Sequence, residues 1–107
     1  MTPMEYFMIE SVFRDPSPVG ETELERLIRE HQRYLDKGFA EGWILVSGPK
    51  AAGGGGVILM KGASAREVEA YFDGDPMKIA GVQDYRIVEF RLYDCQAGTT
   101  SWFEAGE

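Results

Sequence analysis

His31 is the only histidine in the chain. Proton transfer near neutral pH falls most readily to an imidazole, because that ring titrates there. His31 shares a helical stripe with Leu24, Leu27, Ile28 and Leu35, so the ring points toward a sheet or its edge. Two readings follow: a core residue satisfied by one hydrogen bond, or a general base or acid. A base needs an acid to orient it, and Asp75 in "FDGDPMKIAGV" is the candidate. Asp75 also has a purely structural reading, since Asp followed by Pro at the first helical position is a common helix start. Spacing along the chain does not by itself bring the two residues together.

Other chemistries are poorly supported. One histidine and one cysteine cannot build a typical zinc site, and the carboxylates lack the spacing of a calcium loop. No metal and no cofactor are expected. Ser47 has no Gly-x-Ser-x-Gly elbow, so a serine nucleophile is unsupported. Cys95 follows the last strand with no helix N-terminus to activate it, and reads as an inert thiol.

The stretch "SGPKAAGGGGVILM", Ser47 to Met60, raises the question of a nucleotide site. A phosphate loop places its glycines between a strand and a helix, where backbone N–H groups meet the anion. Gly48 and Gly53 have a suitable separation, but Gly54 and Gly55 stand where Lys and Ser or Thr are required, and a strand follows. The run fits a hairpin connection instead, with glycine supplying conformations other residues avoid. As a flexible turn it either borders a site or has no further role.

The elements that must position these residues read in order. Met4–Phe13 is a strand, and Asp15–Gly20 a loop broken by two prolines and a glycine. Thr22 and Glu25 form a capping box for a helix that Gly38 or Gly42 ends. Trp43–Ser47 and Val57–Lys61 are strands. Ser64 and Glu67 cap a second helix, which carries Val68, Tyr71 and Phe72 and stops at Gly74. A helical turn at Pro76–Ala80 precedes the last strand, Tyr85–Tyr93. The chain reads as one domain over 1–107, with a core at 4–93 and a tail at 94–107 that is polar apart from Trp102 and Phe103. The order β-α-β-β-α-β predicts an α+β, ferredoxin-like subunit with a four-stranded antiparallel sheet.

Two helices cover one sheet face, yet both faces carry apolar residues. Phe7, Ile9 and Phe13 alternate with Tyr6, Met8 and Val12, and Trp43 and Leu45 with Ile44 and Val46. A half-solvated sheet shows one polar face, so a second copy is the simplest cover, giving a homodimer with sheets face to face. Trp102 and Phe103 either wrap that neighbour or fold back on their own subunit. The formal charge of −7 repels phosphate backbones and anionic lipids, which argues against nucleic acid or a membrane as partner. No apolar run approaches the roughly 18 residues that span a bilayer, and Met1–Glu5 does not open a signal peptide. A single cysteine agrees with a reducing compartment, so a small cytoplasmic protein is expected.

Taken together, "EHQRYLDKGFAEGWILVSGP", "GGGGVIL" and "FDGDPMKIAGVQDYRIVEF" resemble the YciI-like, or YCII-related, family. The shared features are a helix histidine, a Gly-Pro closing the second strand, a Gly-rich turn into the third, and an Asp-Pro followed by Ala-Gly. The likeness spans about His31 to Phe90, in order. It implies a dimeric α+β barrel and an active centre of a histidine and an aspartate, which correspond to His31 and Asp75. Most members of the family have no assigned reaction, although relatives include a dehydrochlorinase of chlorinated aromatics. Met77 departs from the pattern, where an aromatic is common, and so does the longer tail.

On this reading His31 and Asp75 perform acid–base chemistry of lyase or isomerase type, or a hydrolysis, on a small-molecule ligand. Ser47, Gly48 and Pro49 would border the substrate pocket. The competing expectation is a non-catalytic dimer that binds a metabolite, with His31 as a polar contact.

Overall fold

A computed structural model describes residues 4–104. Met1, Thr2 and Pro3, which the targeting reading used, and the last three residues of the tail lie outside the described residues. The elements are β1 (Glu5–Phe13), α1 (Glu21–Ala40), β2 (Ile44–Pro49), β3 (Gly56–Gly62), α2 (Ala65–Asp73), α3 (Pro76–Ile79) and β4 (Gln83–Phe90). A 3-10 turn (Ala97–Thr99) and a short helix α4 (Thr100–Glu104) follow. The sheet order is β2-β3-β1-β4 with every neighbouring pair antiparallel. This is the α+β, ferredoxin-like arrangement that the element order predicts.

Period-two alternation in β1 sets the layers. Phe7, Ile9 and Ser11 are buried toward the helices, while Met8 and Val12 are exposed on the other side. In β2 the alternation breaks. A register shift between Ile44 and Val46 lets Ile44 enter the core while Val46 is exposed. The sequence pattern put both on one side, because an inserted residue is invisible to a strict period of two. Trp43 lies just ahead of β2, its N–H donating to Gly38 O at 2.8 Å.

The helix ends also differ in part from expectation. The capping box of Thr22 and Glu25 does not open α1. Gly20 occupies the N-cap with no side-chain bond, and its carbonyl accepts the Leu24 N–H at 2.9 Å, so Thr22 already lies in the first turn. Glu21 and Glu23 there face the positive end of the helix dipole. Ser64 does cap α2, accepting from Glu67 N–H at 3.2 Å. Gly38 sits inside α1, where a Cβ would lie 2.5 Å from Ile44 Cδ1, and it is Gly42, with φ +83° just past the C-cap Glu41, that ends the helix. β4 starts at Gln83, two residues earlier than the sequence suggests, and stops at Phe90.

Apolar packing divides into two groups under the helices. One is built on Phe7, Ile9, Ile44, Met60 and Phe72. The other joins Leu27 of α1 to Met77 and Val82. On the opposite sheet face, register aligns Val46, Leu59, Met8 and Val88 in one apolar row across all four strands. Met8 and Val46 in that row are each 55% exposed. The tail folds back at one end of the sheet: Tyr6 donates to Phe103 O at 2.7 Å and Trp102 Nε1 to Gly42 O at 2.9 Å. Lys61 Nζ donates to Trp102 O at 2.6 Å and lies over the indole ring. Among the described residues no helix is long and apolar enough to cross a membrane.

Candidate active site

Asp75 stands between α2 and α3, and its two oxygens have separate tasks. Pro76 occupies the first turn of α3 without an N–H, and Asp75 Oδ1 caps that helix by accepting from Met77 N–H at 2.8 Å. Oδ2 is 2.5 Å from His31 Nδ1 and accepts from the Tyr85 hydroxyl at 2.7 Å. Helix cap and contact with His31 therefore coexist in one side chain. Asp75 has no exposed surface. A backbone N–H and a phenol O–H donate to it, and the His31 Nδ1 lies within hydrogen-bond reach of the same Oδ2.

Neighbouring elements hold this geometry. Gly74, immediately before Asp75, passes so close to Tyr34 of α1 that a Cβ would sit 2.5 Å from the hydroxyl. Tyr34 donates to Tyr71 O at 2.6 Å and Tyr71 donates to Tyr34 O at 3.0 Å, with the two rings stacked. This reciprocal pair clamps α1 to α2, so the His31 turn and the Asp75 turn face each other. On the sheet side, Gln83 Nε2 donates to Tyr85 Oη at 2.7 Å. Burial first, and then the Asp75 charge, push the Tyr85 phenol well above its ordinary range. Burial is also the main cause of the upward shifts at Tyr71 and Tyr34.

A cleft of about 320 Å³ opens beside His31. Its apolar wall combines Leu35 and Ile58 of one core group with Phe13, Ile28 and Met77 of the other. Its polar edge carries Ser11, Gln32, Gln83 and the segment Ser47, Gly48, Pro49. The glycine connection lines the same cleft and is anchored to β1. Phe13 N–H donates to Gly54 O at 2.9 Å, and Gly56 N–H to Ser11 Oγ at 2.8 Å. Gly55 has φ +145°, and a Cβ there would lie 1.9 Å from Ser11 O, so only glycine fits against β1.

His31, Asp75, Ser47, Gly48 and Pro49 thus lie around or directly behind one cavity. Sequence reasoning missed Ser11, Gln83 and Tyr85. Gln83 and Tyr85 occupy alternate positions of β4, but the sequence reading starts that strand at Tyr85 and so leaves Gln83 outside it. Among the described residues no group of three or more His, Cys, Asp or Glu side chains could hold a metal ion.

The Tyr85 shift has a stability consequence. A phenol whose folded value is raised stays protonated while the unfolded chain ionises above about pH 10. Its contribution is therefore whole below that pH and is lost as pH rises beyond it, by about 1.4 kcal/mol per pH unit. Urea unfolding between pH 9 and 11.5 should show a steep alkaline loss, shallower by about one proton's slope in Tyr85→Phe. Identical slopes in the two proteins would contradict the assignment.

The model of the YCII-related domain matches residues 5–91. Among solved structures, the chain is similar to 5-chloro-2-hydroxyhydroquinone dehydrochlorinase from Burkholderia phenoliruptrix AC1100, in complex with 2,5-dihydroxybenzoquinone. The identity is 22%, the TM-score 0.65, and the likeness covers 84% of this chain and 95% of that one. It is also similar to a dimeric protein of unknown function and ferredoxin-like fold from Bacteroides fragilis NCTC 9343. There the identity is 13% and the TM-score 0.52, over 83% of this chain and 96% of the other. No curated protein sequence matches. The family match runs from β1 through β4, with both α1 and the Asp75 turn inside it, and the chain belongs to the family of YCII-related domains.

Proposed function

We propose that this chain is a small enzyme that moves a proton on a compact organic molecule held in the cleft. His31 is the general base or acid, and Asp75 is the carboxylate that orients it. The observation that carries this reading is the 2.5 Å contact between His31 Nδ1 and the fully buried Asp75 Oδ2 at the edge of the cavity. Asp75 accepts the Nδ1 proton, which leaves Nε2 as the nitrogen that takes a proton from the ligand. The imidazolium then formed faces a buried carboxylate, which stabilises it, as in other His–Asp pairs.

Three reactions use this device equally. In an elimination, Nε2 removes a proton from carbon, the C–H electron pair becomes the new double bond, and the neighbouring leaving group departs with its own pair. In an isomerisation, the same proton returns to a different atom. In a hydrolysis, Nε2 takes a proton from water as the water oxygen bonds to the electrophilic carbon, and the imidazolium returns that proton to the leaving group as its bond to that carbon breaks. The similar dehydrochlorinase, bound to 2,5-dihydroxybenzoquinone, supports a small organic ligand and acid–base chemistry.

The working form in this proposal is a homodimer, one domain per chain, in a reducing cytoplasm. Its support is the row of Val46, Leu59, Met8 and Val88, exposed at all but the half-buried Leu59, an apolar surface of a kind that monomers seldom expose. The dimeric description of the Bacteroides fragilis relative agrees with it. Ser47, Gly48 and Pro49 form the substrate-side wall.

In a screen of eliminations, isomerisations and hydrolyses, His31→Ala and Asp75→Asn should each lower the wild-type activity by at least about 100-fold. Circular dichroism should show both variants folded. Unchanged activity in a folded variant sinks the mechanism, and ligand binding without turnover in the wild type would favour the binding module. For assembly, sedimentation should find a dimer in the wild type and a monomer in Met8→Asp. A monomeric wild type contradicts the dimer.

A further inference from the structure

We infer that the cleft selects its ligand by a hydrogen-bond donor, a hydroxyl or N–H group, received by the carboxamide oxygen of Gln83. The inference rests on the cleft being the ligand site, and it adds the class of molecule that the site takes: compact, largely apolar, and bearing a donor.

The orientation of Gln83 follows from a chain of hydrogen bonds that starts at Asp75. Met77 N–H can only donate, so Asp75 Oδ1 accepts. Tyr85 has one hydroxyl proton, and it goes to Asp75 Oδ2 at 2.7 Å. Toward Gln83, the same hydroxyl can therefore offer only a lone pair. The carboxamide must meet it with the NH2 group, and Nε2 is 2.7 Å from Tyr85 Oη. The oxygen then occupies the other branch.

Among the described residues none donates to Gln83 Oε1, whereas Nε2 has its partner in Tyr85. Gln83 is only 1% exposed and is part of the cleft lining. No fully buried side-chain nitrogen or oxygen among the described residues lacks a hydrogen bond, so the small accessible surface of Oε1 belongs to the cleft. An acceptor held there, beside Phe13 and Met77, is left unpaired by any ligand that fills the cavity without a donor. Sites of this kind reject analogues lacking the donor far more strongly than apolar walls reject a change of size. The specificity is thus set three bonds away, by a carboxylate that the ligand does not touch at that end.

Phenol and anisole form a suitable pair of probes, sharing a ring and differing in the O–H. Titration of 15N-labelled protein, read on the Gln83 side-chain NH2 and the ring of the only histidine, should show phenol binding at least ten-fold tighter. Hydrophobicity alone would favour anisole. In Gln83→Met the preference should fall to within two-fold. In Tyr85→Phe, which removes no residue of the cleft lining, the carboxamide is free to turn its NH2 inward, and the preference should shrink several-fold. Phenol binding no tighter than anisole, or a preference unchanged in both variants, overturns the inference. A Gln83-dependent preference, found together with activity that survives His31→Ala, would keep this selectivity and sink the catalytic proposal. Loss of the preference with the His31 and Asp75 effects intact would do the reverse.

Discussion

A carboxylate without exposed surface is costly, by several kcal/mol, unless donors fill its oxygens. Asp75 has polar partners from three elements: the Met77 N–H of α3 and the Tyr85 hydroxyl of β4 donate to it, and Nδ1 of His31 on α1 is in contact with it. The requirement reaches well beyond the site. It fixes the start of α3, the approach of α1, and the face on which β4 must present its first residues. Gly74 and the Tyr34–Tyr71 clamp serve the same end, since a bulkier residue before Asp75 would push α1 away.

The cavity follows from the same arrangement. Its walls come from two apolar groups that do not merge under α1, and the polar cluster of Asp75, Tyr85 and Gln83 lies along their join. Polar groups that must keep their hydrogen bonds cannot be packed over by aliphatic side chains. The glycine connection closes the far side, where the close pass of Gly55 over β1 leaves no space for a side chain. One face of the sheet thus supports the candidate chemistry, while the other carries an apolar row.

Much of this was legible in the sequence. Alternation in β1, the helical stripe of α1 and the glycine connection were enough for the element order and the antiparallel sheet. His31 stood out because it broke an apolar stripe, and Asp75 because it preceded a proline. What period and spacing could not supply was tertiary. The β2 bulge inverted the side of Val46, and the Gly20 carbonyl took over the start of α1 from Thr22. The meeting of His31 with Asp75 was implied by family resemblance and not by spacing. Gln83 escaped because the last strand reads as starting at Tyr85, and Tyr85 because a tyrosine in a strand looks like an ordinary half-buried residue until a buried carboxylate is placed between it and α1.

The contact of His31 with Asp75 is the claim on which the rest stands, and a single histidine makes it directly observable. Long-range 1H–15N correlation of the imidazole at a pH where the ring is neutral reports which nitrogen carries the proton. The account predicts the Nδ1–H tautomer almost exclusively, with Nε2 bare, and a shift toward the mixture typical of a free imidazole in Asp75→Asn. A wild-type ring that is mainly Nε2–H, or that does not respond to Asp75→Asn, would contradict it.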